Sequence, residues 1–101
     1  EEDILKVMEI LQEEKSKMSP NWNRRYRANL EKIRSGDIFE VAEVVRNLAI
    51  RDREKGLSTG ERKMLDNSKQ ILISELVLAQ DSTPEEVEAL IDRMLGEEEE
   101  A

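Results

Sequence analysis

The sequence predicts an all-α domain, and three observations predict it. Apolar residues recur three and four positions apart along most of the chain, the spacing of one face of an α-helix. Aromatic residues, which favour strands, make up only 3% of the composition, and there are two prolines and four glycines. Three pairs, Asp37 with Glu40, Ser58 with Glu61 and Thr83 with Glu86, have the spacing of a helix-starting capping box. The expectation is a compact bundle of about five helices over 1–96, joined by connections of two to four residues. An acidic, disordered tail is expected over 97–101.

The first helix is expected within 1–17, where Ile4, Val7, Met8 and Leu11 share a face. Glu1, Glu2 and Asp3 suit its positive end, and Lys15 and Lys17 suit its negative end. Ser19-Pro20 breaks it. Ser19 then serves as N-cap of the second helix with Pro20 at its first position, where the missing N–H costs nothing. On a helical wheel Trp22, Tyr26, Leu30 and Ile33 fall within about 80° of one another. Arg25 and Lys32 flank that stripe, and Arg24, Arg27 and Arg34 lie further round. Ser35-Gly36 ends the helix.

Asp37 starts the third helix, whose stripe is Ile38, Val41, Ala42, Val45, Leu48 and Ala49. Its last turns are charged, from Arg51 to Lys55, and Gly56 stops it. Ser58 starts the fourth, which runs to about Gln80. Met64, Leu65, Ser68, Ile71, Leu72 and Leu76 form its main stripe. Ile73, Val77 and Leu78 widen that stripe almost all round, which predicts the central position in the bundle. Thr83 and Pro84 open the fifth helix, with Val87, Leu90, Ile91, Met94 and Leu95 on one face and Gly96 at its end.

Composition excludes several functions. With no histidine, the usual general base and the commonest zinc ligand are missing. There is no cysteine, hence no disulfide and no thiolate chemistry. No glycine-rich phosphate loop occurs. Most acids sit at helix starts, where capping and dipole effects account for them. The chain is therefore not expected to be an enzyme, and no cofactor or metal is expected. No apolar run approaches the ~18 residues of a membrane span, and no signal peptide is visible. The chain opens on Glu1 rather than methionine, as expected of a piece of a longer protein or a processed product.

Function is concentrated in 19–34, SPNWNRRYRANLEKIR. This stretch holds the only tryptophan, the only tyrosine and five cations against one acid, a local charge of +4 in a chain of net charge −8. Most of the negative charge lies in 81–101, where nine acids accompany one arginine. A basic block beside a large flat ring suits nucleic acid: cations neutralise phosphates and the ring stacks on or wedges between bases. Two readings of Trp22 stand side by side. Helical spacing makes it a core anchor with Tyr26, Leu30 and Ile33. Its place in the first turn makes it a half-covered ring flanked by arginines. Arg27 could also pair with Glu31 one turn on, worth a few tenths of a kcal/mol.

The run NWNRRYRANLEKI at 21–33 resembles the signature of the C-terminal domain of the CarD/CdnL bacterial transcription regulators. VAEVVRNL at 41–48 and GLSTGERKML at 56–65 resemble later blocks of that domain, in order and at the expected spacing. The resemblance covers about 21–79. It implies a cytoplasmic, nucleoid-associated protein that contacts promoter DNA near the upstream edge of the −10 element. It implies that Trp22 wedges into the minor groove and holds the open complex, and that Arg24, Arg27, Arg51 and Arg62 are DNA-contacting positions. Arg25 and Lys63 join that set on charge alone. It further implies contact with the β subunit of RNA polymerase through an N-terminal Tudor-like domain, of which no part is expected within 1–101.

A reading from another class is a helical domain that docks on a protein through Trp22 and Tyr26. Self-association by exchange of a terminal helix is a third, exclusive of neither.

Overall fold

Five helices build the described part of the protein, residues 2–96, in the computed structural model. They are α1 (Glu2–Gln12), α2 (Trp22–Arg34), α3 (Ile38–Lys55), α4 (Thr59–Gln80) and α5 (Pro84–Met94). There is no strand among the described residues, so the expected all-α class is the observed one. The expected acidic tail, 97–101, lies outside the described residues. Of the described helices, none is long and apolar enough to cross a membrane.

Helix α1 buries Ile4, Val7 and Leu11, three of the four residues that its period places on one face; the fourth, Met8, is partly buried against the core. It stops at Gln12, short of the expected end, and the connection to α2 is correspondingly long. The physical reason lies on α3. Buried Arg46 donates to the Ile10 carbonyl at 3.2 Å and to the Glu13 carboxylate at 3.1 Å. Asn47 Oδ1 accepts the Ser16 N–H at 3.0 Å. These bonds satisfy groups at and just beyond the helix end, so the chain leaves the helix without orphaning them. Lys15 and Lys17 consequently lie past the helix, and Lys15 pairs instead with Glu54 at 2.6 Å.

Helix α2 begins two residues later than expected. Asn21, not Ser19, is the N-cap, and its side-chain oxygen accepts the Arg24 N–H at 3.0 Å. The carbonyls of Ser19 and Pro20 are held outside the helix by the Arg25 guanidinium, at 3.2 and 3.3 Å. The start of α3 also differs in detail. The Asp37 carboxylate accepts the Phe39 N–H at 2.9 Å, rather than that of Glu40. Helix α5 carries the complete reciprocal box, with Thr83 and Glu86 each accepting the other's N–H.

The most enclosed helix is α3, not α4. It packs against α1, α2 and α4, and the run from Val44 to Ala49 is buried without interruption. Within it Arg46 and Asn47 are buried polar residues that bond to the last turn of α1, at Ile10, and to Glu13 and Ser16 in the connection after it. Helix α4 buries Met64, Leu65, Leu72, Ile73 and Leu76, but leaves Leu78 81% exposed. Apolar content alone pointed to α4. Position decided otherwise: α4 packs mainly on α3 and α5, and Ile71 and Leu78 on its remaining side are left to solvent. Each fully buried aliphatic of the core, such as Val7, Leu48 or Leu72, contributes about 1.5–3 kcal/mol through removal from water.

Candidate nucleic-acid interface

The starts of α2 and α4 meet at Trp22. Trp22 is the first residue of α2 and is 41% exposed. Tyr26, one turn on, stacks on it with centroids 4.9 Å apart and planes 15° from parallel. The indole Nε1–H donates to Ser58 Oγ, the N-cap of α4, at 3.0 Å. The rims of both rings approach Gly60: a Cβ there would lie 3.5 Å from Trp22 Cζ2 and 3.6 Å from Tyr26 Cε1. Trp22 is thus neither sealed in the core nor swinging free. Tyr26 covers one face, Ser58 holds one edge, and the remainder is open.

Beneath this aromatic pair lies a buried ion pair. Arg25 Nε donates to Glu61 Oε2 at 2.6 Å, with the two side chains only 4% and 2% exposed. Burial alone would push the Glu61 carboxyl up. The Arg25 hydrogen bond and charge outweigh it, with help from the Ser58 backbone N–H and the Arg51 charge, and hold the carboxyl below its ordinary value. Arg25 therefore differs from the expectation that grouped it with the surface cations. Its guanidinium is spent on Glu61 and on the two carbonyls ahead of α2. Helical position explains this. Arg25 is one residue from Tyr26 and four from Asn29, and that face of α2 turns inward.

The other expected site residues divide by surroundings. Arg24 and Arg27 are exposed and pair with no acid among the described residues. The Arg27–Glu31 pair that the spacing allows is not formed. Lys63 is exposed and likewise unpaired within that set. Arg62 is exposed and pairs with Asp52 at 2.7 Å. Arg51 is half-buried, and its Nε is shielded from solvent with no hydrogen-bond partner among the described residues. Of the remaining cations of α2, Lys32 pairs with Glu43 at 3.1 Å, while Arg34 is exposed.

The fold thus brings Trp22 and Tyr26 against the first turn of α4, which carries Arg62 and Lys63. The C-terminal part of α3, with Arg51 and Asp52, reaches the same place through Glu61 and Arg62. Three residues of this site, Ser58, Gly60 and Glu61, were not among those the sequence singled out for function. Ser58 and Glu61 were legible as a helix start. Their second roles, toward Trp22 and Arg25, had no local signal, since each partner lies 36 residues away. Among the described residues no cluster suited to hold a metal ion is present.

Residues 6–92 match the family described as "CarD, C-terminal domain". The chain is also similar to a Bacillus subtilis (strain 168) protein named "Putative transcription factor YdeB". The two are 41% identical over 83 residues, covering 82% of this chain and 54% of that protein. The chain therefore spans about half the length of this curated relative.

Proposed function

The chain belongs to the CarD C-terminal-domain family, and on that premise we propose that it is the DNA-binding module of a bacterial transcription regulator. In this reading it stabilises the open complex of RNA polymerase by minor-groove contact near the upstream edge of the −10 element. One observation carries the reading: a half-exposed Trp22 stands at the first turn of α2 beside Arg24 and Arg27, whose charges no described acid neutralises. Lys63 on the adjoining turn of α4 extends the positive edge, with Arg62, paired to Asp52, and half-buried Arg51 beside it. Arg25 supports this surface from within and does not touch DNA.

The mechanism needs no base-specific contact. The minor groove displays a degenerate pattern, so the preference falls on DNA shape and on the distorted edge of the bubble. A ring placed at an unstacked step favours melted DNA over closed duplex. That difference in affinity is what shifts the closed-to-open equilibrium. The arginines contact phosphates and fix the register. Contact with the polymerase β subunit falls, on this proposal, to an N-terminal domain of the kind family members carry. A regulator of this kind works in the cytoplasm, on the nucleoid.

The test is binding of the chain to fork-junction DNA that carries the upstream edge of a −10 element, measured across a salt series. The proposal expects a steep salt dependence that flattens when Arg24 and Arg27 are replaced. Binding indifferent to salt and to both arginines would favour a protein-docking domain instead.

A further inference from the structure

We propose that the C-terminal end of α4 is a second interaction surface: an apolar strip with an acidic rim that takes a positively charged amphipathic helix of another protein. It uses none of the residues of the candidate nucleic-acid interface and stands whether or not the chain binds DNA.

Three large apolar side chains are left to solvent at this end of the bundle. Leu78 is 81% exposed, Leu5 70% and Ile71 41%. Ile71 and Leu78 lie seven positions apart, on one face of α4. Two grooves flank the last turn of that helix. One, of about 350 Å³, is lined by Gln70, Ile73, Ser74, Val77, Leu78 and Pro84. The other, of about 540 Å³, is lined by Ile4, Leu5, Ala79, Gln80 and Ser82. Neither lining contains a charged side chain, in a chain whose residues are 40% charged. Leu78 and Ala79 are consecutive, so the two grooves share one ridge. A contiguous apolar strip of this kind marks a contact surface, whereas single exposed apolar residues do not. Leu78 is about 24 Å along the helix from Arg62, which separates the strip from the cationic edge.

Charge selects the occupant. From Gln70 to Asp92 there are six acids and no lysine or arginine. Glu75, Asp81, Glu85, Glu86 and Glu88 are exposed, and Asp3 of α1 shares a cleft with Glu75 and Ala79. The adjoining cations are engaged: Lys6 lies over the Phe39 ring at 4.8 Å, and Lys69 pairs with Asp92 at 2.5 Å. Such a rim repels phosphates and anionic membrane surfaces. It also opposes a second copy, because a two-fold contact through this face would set the same acids against each other. A helix with apolar residues at i, i+3 or i+4 and i+7, and lysine or arginine on its flanks, satisfies both features. Its apolar residues enter the grooves, and its cations meet the rim.

The probe is a synthetic helical peptide with leucines on one face and lysines on both flanks, paired with a control that carries glutamates in place of the lysines. Calorimetry measures binding to the chain, amide shifts map it, and light scattering gives the size of the chain alone. The lysine peptide is expected to bind, with shifts confined to 4–5 and 70–88, and the glutamate peptide is not. Leu5→Ser and Leu78→Ser are each expected to weaken binding at least about fivefold, since each removes an apolar anchor. Their thermal melts should stay normal, because both side chains are exposed in the free chain.

No binding of the lysine peptide would overturn the proposal. Full binding in both serine variants would reduce the attraction to overall charge and overturn it as well, as would shifts centred on α2. A chain that scatters as a dimer, and as a monomer in Leu78→Ser, would give the face to a second copy instead. Loss of peptide binding when the chain is joined to an N-terminal domain of the family's kind would give it to that domain.

Discussion

The indole nitrogen of Trp22 lies 3.0 Å from the Ser58 hydroxyl, across 36 residues of sequence. Two helix starts are tied together by that bond, the first residue of α2 to the N-cap of α4. The tie gives the aromatic residue a defined place at the protein's edge, where most of its contacts are with Tyr26 and the α4 start and a large part remains open to solvent.

Replacing Trp22 by alanine should separate function from fold. A fully buried tryptophan would cost about 3–5 kcal/mol on truncation. Trp22 is 41% exposed, so a smaller loss of about 1–2 kcal/mol is expected, and the thermal melt should remain cooperative. Affinity for fork-junction DNA should fall at least about tenfold, the scale of one lost base–aromatic stack. A chain that unfolds outright on this substitution would mark Trp22 as a core anchor.

Arg24 and Arg27 should act through charge alone. Converting both to alanine removes two phosphate contacts and should lower the slope of log affinity against log salt by about 0.9 for each. Both are exposed and without an acid partner among the described residues, so stability should stay within about 0.5 kcal/mol. Titrations at three or more salt concentrations, paired with urea melts, measure both quantities.

Arg25 should behave in the opposite way. Arg25→Met leaves the Glu61 carboxylate buried and unpaired, which should destabilise the chain by about 3–5 kcal/mol. The double variant Arg25→Met, Glu61→Leu removes both charges and should recover much of that loss. Urea melts of the two variants decide it. A normal melt with a flattened salt slope in Arg25→Met would return Arg25 to the DNA-facing set.

Stability should decline in acid through two carboxylates. Burial favours the neutral form of Glu61, but Arg25 outweighs it and lowers the carboxyl below the ordinary value of 4.5. At Glu43 burial is again opposed, here by the Ser16 hydroxyl, by Lys32 and by the Arg46 charge, with the same net lowering. A carboxyl whose pKa is lower folded than unfolded binds its proton more readily in the unfolded chain. Its stabilisation is complete above the unfolded value and is lost as the pH falls through the folded one. Urea midpoints should therefore be flat near neutrality and fall below about pH 4.5. Glu61→Gln should flatten part of that acid decline, and an unchanged profile would contradict the account.

Much of the architecture was written locally. Period, caps and breakers located five helices; α3 and α5 end beside Gly56 and Gly96, and α4 ends at Gln80, as expected. Those features depend on neighbours three or four positions apart, which a reader of the chain has in hand. The ends that were misplaced, of α1 and of the α2 start, are the ones where an arginine buried by the tertiary packing takes the backbone carbonyls. Arg46 does so for Ile10, and Arg25 for Ser19 and Pro20.

The candidate site divides along the same line. That 19–34 combines a lone indole with a block of cations is a property of the amino-acid order, as is the resemblance to the CarD family. Which cations face water is not. Arg24 and Arg25 are adjacent and chemically identical, yet one is exposed and the other is 4% exposed against a buried glutamate. A charge is admitted to an interior only where an opposite charge already waits. That partner, Glu61, reaches Arg25 only after α4 has folded back against α2, so burial at Arg25 and the seat of Trp22 on Ser58 belong to the assembled bundle.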